Sequence, residues 1–281
     1  MEEKPEDVIQ RRLKNMTEMA SELKEKEGLV SRYVKKDCYV RIGGESFRAV
    51  SLKENYPLCG CKKNGAKNLE TIFGHFDEKD DKKLSEGILQ KKRERRLQCW
   101  IIREALKNNR DLLIPLGIND PQFEELLFAL DEVSLGDNHH PVCNIPSLNL
   151  KNENKKETNA VRCDILAVGK NGSEIFPVII ELKSNRNKKK LEEQLYNFAE
   201  LIKHFKKEFK ELLEACTGLL LNDYMPRKIM IWPAPKLENG QTQNHLTHLN
   251  DNGINVLEYS KDKNKAYKFE SYLVQEKAEV D

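Results

Sequence analysis

Two apolar runs separated by a glycine-rich turn do most to limit what this chain can become. The first, Asp164-Ile165-Leu166-Ala167-Val168, ends at Gly169-Lys170-Asn171-Gly172. The second is Ile175-Phe176-Pro177-Val178-Ile179-Ile180-Glu181-Leu182-Lys183. Both are short and the second is rich in β-branched residues, so the pattern predicts two strands joined by a hairpin. Successive side chains of a strand point to opposite faces, which places Glu181 and Lys183 on one face of the second strand. Asp164 on the neighbouring strand is then expected to meet them.

Two carboxylates suit a hard cation such as Mg²⁺, which takes oxygen ligands and keeps positions for water and phosphate oxygens. A lysine beside that ion helps to orient or deprotonate an attacking water and offsets charge on a phosphorane-like transition state. With these residues the chain resembles the PD-(D/E)xK nuclease superfamily, the restriction-endonuclease-like fold, over roughly residues 86–260. The resemblance implies an α/β architecture, a mixed β-sheet core flanked by helices (α/β/α). It matches Asp164 and Glu181 to the metal-binding acids and Lys183 to the catalytic lysine. Cys163 stands where the family has its proline, a position without a chemical role.

Two accessory positions also match. Gln194, in Leu191-Glu192-Glu193-Gln194-Leu195, corresponds to a glutamine that many members place beside the metal. Glu94, in Glu94-Arg95-Arg96-Leu97-Gln98, opens a helix resembling the one that often supplies a further acid. Glu94, Leu97, Gln98 and Ile101 share one helical face. Glu104 competes with Glu94 for the acid's role. The activity implied is a Mg²⁺-dependent phosphodiesterase, with Mn²⁺ able to substitute: a DNA endonuclease of restriction, repair or anti-phage defence type, with RNA left open as a partner.

Net charge is only +2, but basic residues gather around the proposed site. Arg93 and Arg96 flank Glu94, and Arg186, Lys188, Lys189 and Lys190 follow Lys183 in a basic loop, as if to line a phosphate groove. Lys203, Lys206, Lys207 and Lys210 extend along the next helix. The competing reading of any such run is a solvated basic face. Little aromatic interleaving accompanies these lysines, so a base-stacking platform is not indicated.

Other readings stay open beside the enzyme. Asp/Lys and Glu/Lys pairs across strands are common on surfaces and are worth little. A module of the same fold that binds nucleic acid or a protein without cutting is the main alternative, although Asp164, Glu181 and Lys183 are all present. An interaction protein built on the N-terminal helix is the other. Cys59-Gly60-Cys61 with Cys38 and His75 makes a poorly spaced zinc set, and Pro57, Gly60, Asn64 and Gly65 favour a turn instead. Seven scattered cysteines argue for reduced thiols. No apolar run reaches the ~18–20 residues that cross a bilayer. The segment Met1-Glu2-Glu3-Lys4-Pro5 lacks a signal-peptide core, so a cytoplasmic location is expected.

The organisation expected is an N-terminal extension over 1–85 and a nuclease-like domain over 86–281. The extension begins with an amphipathic helix over 7–27, whose Ile9, Leu13, Met16, Ala20 and Leu23 form a seam that docks on the body or pairs with a second copy. Strands are expected at Cys38–Ile42 and Ser46–Leu52, then a polar linker over 77–83. A helix over 86–108 is followed by a second that starts at Asp120-Pro121 and runs through Phe123, Leu126, Leu127 and Leu130. A strand is expected within 139–150, His139-His140 itself reading as loop. Leu191, Leu195, Phe198, Ile202, Phe205 and Leu212 predict one long core helix, followed by strands at Lys228–Trp232 and Gly253–Tyr259. A homodimer is expected if both strands of a duplex are cut.

Overall fold

A computed structural model of the chain describes residues 3–24, 32–35, 38–41, most positions from 93 to 105, 108–119, 121–151, 160–184, 188–234, 249, 253–261 and 267–272. The expected strand at 46–52, the linker at 77–83, and Cys59, Cys61 and His75 lie outside the described residues. Helix α1 (Pro5–Lys24) precedes a hairpin of β1 (Arg32–Lys35) and β2 (Cys38–Arg41). Described positions between 93 and 105 are helical, here called the Glu94 helix, and a single helical turn covers Leu113–Leu116. Then come β3 (Glu125–Leu135), β4 (Val161–Asn171), β5 (Glu174–Leu182), helices α2 (Lys188–His204) and α3 (Lys206–Thr217), and strands β6 (Arg227–Pro233), β7 (Ile254–Lys261) and β8 (Tyr267–Tyr272).

These strands make one six-stranded mixed sheet in the order β3-β4-β5-β6-β7-β8. The β3–β4, β4–β5 and β7–β8 pairs are antiparallel, and β5–β6 and β6–β7 are parallel. Parallel neighbours need a crossover, and α2 with α3 supplies the one between β5 and β6. Consecutive residues of β4 from Ile165 to Gly169, and of β5 from Phe176 to Leu182, are buried, so both faces of the central strands are covered. The chain is therefore a mixed α/β fold with flanking helices. No helix among the described residues is long and apolar enough to cross a membrane.

The expected hairpin forms, with its reversal further along than the glycine cluster suggests. Asn171 faces Glu174 and the turn is Gly172-Ser173, where Gly172 takes the left-handed φ of +56° that a two-residue hairpin loop demands. Gly169 lies inside β4 opposite Phe176. A Cβ there would fall 2.4 Å from the Phe176 ring, so the glycine makes room for that side chain. The guanidinium of Arg227 lies over the same Phe176 ring, 3.7 Å from its centroid.

Three expectations need correction. The segment expected to be a helix from Asp120 is the strand β3, in which Leu126, Phe128 and Leu130 are buried and a bulge falls between Phe128 and Leu130. Within 139–150 there is no strand. Pro141 and Pro146 lack amide donors, and Val142–Asn144 forms a 3₁₀ turn that buries Val142 and Ile145, three residues apart. The long core helix breaks at Phe205, whose φ of −96° and ψ of 44° leave the helical region, yet Phe205, Phe209 and Leu212 all remain in the core.

Helix α1 docks on the body. Ile9, Leu13, Met16 and Ala20 are buried in the same core as the sheet, against α3. Its polar flanks are tied down as well: Glu6 meets His204 Nε2 at 2.7 Å, and Arg12 pairs with Asp137. Asp137 also accepts the N–H groups of His139 and His140 at 2.8 Å, which fixes the loop the two histidines occupy.

Candidate active site

The β4–β5 register brings the acids together. Ile165 faces Ile180, so one further step sets Asp164 opposite Glu181 with both side chains on one face. Each acid is held by the other's strand. Asp164 N donates to Glu181 Oε1 at 3.3 Å, and Leu182 N donates to Asp164 Oδ2 at 2.8 Å. Lys183 continues the parallel pairing with β6 through its N–H to Ile231 O at 2.9 Å, and its Nζ lies 4.0 Å from Glu181 Oε2.

Glu181 is only 1% exposed. Burial and then the neighbouring Asp164 carboxylate push its pKa well above the ordinary glutamate value, and Lys183 only partly counters them. Its Oε2 is buried and has no hydrogen-bond donor among the described residues. Burial works against the charge of Lys183, but Asp164, Glu181 and Glu94 together hold its pKa above the ordinary lysine value. Lys183 is thus an ammonium group at neutral pH. The thiol of Cys163 is pushed up by burial, then by Glu181 and Asp164, and its Sγ lies 3.0 Å from Ile165 O. It is a packed thiol, not a nucleophile.

The Glu94 helix meets the chain just past the end of β5. Glu94 Oε1 accepts from Ser184 N at 3.0 Å and from Ser184 Oγ at 3.2 Å, so this carboxylate holds the chain just past Lys183. Glu104, ten residues further along the chain, is also at a helical position. Gln98 is a contributor that the motif does not reveal. It is buried, and its Nε2 donates to Asp164 O at 2.9 Å, pinning the strand that presents the acid. Its only signal in the sequence is its place on the helical face shared by Glu94, Leu97 and Ile101.

Gln194 stands near the start of α2, the helix packed on β4 and β5, and its buried Oε1 has no donor among the described residues. Lys188, Lys189 and Lys190 begin α2 and do not belong to a loop. Arg93 is exposed on the Glu94 helix, and Arg96 and Arg186 lie outside the described residues. No set of three or more His, Cys, Asp or Glu side chains converges among the described residues. The Asp164–Glu181 pair stands with Lys183 as its cation.

The donor set suits a hard divalent ion. A buried carboxylate oxygen without a donor, beside a second carboxylate that disfavours its ionisation, is stabilised by a cation placed between them. Mg²⁺ needs only one or two carboxylates from the protein and fills its other positions with water and substrate oxygens. Asp164 and Glu181 are the side chains that would hold such an ion, with the Lys183 ammonium group 4.0 Å from Glu181 Oε2. No protein-family model, curated protein or solved structure matches the chain.

Proposed function

We propose that the chain is a Mg²⁺-dependent phosphodiesterase of the PD-(D/E)xK, restriction-endonuclease-like type, acting on the DNA backbone. The observation that carries the reading is the Asp164–Glu181 pair on adjacent strands, with the orphaned Glu181 Oε2 and the Lys183 ammonium 4.0 Å from it. Asp164 and Glu181 would hold the ion. The chemistry supplied by a bound Mg²⁺ or Mn²⁺ is a coordinated water of lowered pKa and a polarised phosphoryl oxygen.

The protein's own residues do the rest. Lys183 places positive charge where the phosphoryl group gains negative charge in the transition state. Glu94, through its two bonds from Ser184, fixes the segment that follows Lys183, and Gln98 fixes Asp164. Gln194, whose buried carbonyl oxygen has no donor among the described residues, would orient the cluster. Arg93 would meet the phosphates that flank the cut.

Incubation of the wild-type protein with supercoiled plasmid, linear duplex and single-stranded DNA tests the reading. Cleavage of at least one substrate with Mg²⁺ or Mn²⁺, blocked by EDTA, is expected. Binding of DNA without cutting under every metal condition would favour a silent nucleic-acid-binding module.

A further inference from the structure

The sheet face that carries Glu181 continues onto β6. Glu181 pairs with Met230 and Ile179 with Lys228, so Lys228 projects from the same face as Glu181 and Lys183. Two residues along a strand at ~3.3 Å each and one strand across at ~4.8 Å put the Lys228 Cα roughly 8 Å from that of Glu181. Lys203 stands on the last turn of α2. Lys151 is fastened to the flank of the same helix by Asn197, whose buried side chain accepts from Lys151 N at 2.8 Å and donates to Lys151 O at 3.0 Å. The Lys151 ammonium lies 4.3 Å from the Tyr196 ring centroid.

A loop, a helix and a strand thus bring three lysines together. Burial, then the ammonium groups of Lys203 and Lys151, push the pKa of Lys228 down. Lys203 Nζ also lies 3.0 Å from Glu200 Oε1. Such a cluster is stabilised by an added anion.

We propose that Lys151, Lys203 and Lys228 form a track for the phosphates of a nucleic-acid backbone, leading away from the Asp164–Glu181 pair along α2. The track rests on the nuclease reading for what lies at its head. Tyr196 lies under an ammonium group and is not presented for base stacking, so the track grips phosphate and does not read base sequence.

The test is the salt dependence of binding to a short fluorescent DNA duplex, measured by anisotropy in EDTA so that nothing is cut. K151Q/K203Q/K228Q is compared with K4Q/K14Q/K268Q, which removes the same charge from exposed positions elsewhere. The track predicts that the slope of log Kd against log salt falls by roughly 2.7 in the first variant, that binding weakens about 10- to 100-fold, and that the second variant behaves as wild type. Thermal melting checks that the half-buried Lys228 tolerates the change. Lys203→Gln alone, at an exposed site, should lower the slope by roughly 0.9. An unchanged slope, an equal fall in both triple variants, or no binding by the wild type at low salt overturns the track. Cleavage by the wild type is read separately with Mg²⁺. A slope change without cleavage removes the nuclease reading and leaves the track, and cleavage with an unchanged slope does the reverse.

Discussion

Replacing Glu181 by glutamine should stabilise the metal-free protein at neutral pH, contrary to what deletion of an active-site ion pair usually does. Glu181 is 1% exposed, and burial and Asp164 both raise its pKa in the folded state. A raised carboxyl pKa means that the folded state binds the proton more tightly than the unfolded one. Its contribution is fully present below the ordinary value of 4.5 and is lost as pH rises through the folded-state pKa. Each pH unit between 4.5 and the folded-state pKa costs about 1.4 kcal/mol. Glutamine keeps the shape, still accepts from Asp164 N, and gives up only the attraction to Lys183 at 4.0 Å. The expected gain in EDTA at pH 7 is on the order of 1 kcal/mol, a Tm a few degrees higher, shrinking to nothing near pH 4.5. Added Mg²⁺ should raise the Tm of wild type and leave the variant unmoved. Thermal melts across pH with and without metal give the answer. A variant that melts several degrees lower at pH 7, or a gain that does not depend on pH, refutes the reasoning.

Other consequences are more local. Gly169→Ala pushes a methyl group against a Phe176 ring that Arg227 already braces, and urea unfolding should show a loss of about 1–3 kcal/mol. Gln98→Met keeps the volume but removes the donor to Asp164 O, at a cost of about 1–3 kcal/mol in the same assay, with Asp164 less firmly placed. Partial burial opposes ionisation of Asp137, yet Arg12 and the N–H groups of His140 and His139 hold its carboxyl well below the usual range. That stabilisation is present above pH 3.8 and lost as pH falls through the folded-state value, so Arg12→Ala should move acid unfolding, followed by circular dichroism, to higher pH.

The hairpin and its acids were legible because two constraints coincide there: β-branched runs favour strands, and the register of a two-residue turn fixes which side chains meet. The strand β3 was not legible. Asp120-Pro121 imitates a helix start, and Phe123, Leu126, Leu127 and Leu130 satisfy helical spacing although Leu126, Phe128 and Leu130 alternate. With both faces of the strand and a bulge involved, periodicity alone does not decide, and the pairing with β4 overrides a leucine-rich helical propensity. The strand β8 carries a readable alternation, with Tyr267 and Phe269 against Lys268 and Glu270, but its short length conceals it. Gln98 and the Lys151–Lys203–Lys228 cluster were beyond reach for another reason. Each depends on contacts between residues 25 to 77 positions apart, which no local pattern encodes.

The most direct test of the central claim is plasmid cleavage by Lys183→Ala, run with Mn²⁺ titrations of that variant and of Asp164→Ala. The account predicts that Lys183→Ala still binds Mn²⁺ but cuts on the order of 100-fold or more slowly, because a charge facing the transition state is gone, and that Asp164→Ala loses both. Cleavage by Lys183→Ala at the wild-type rate, or cleavage that persists in EDTA, would contradict it.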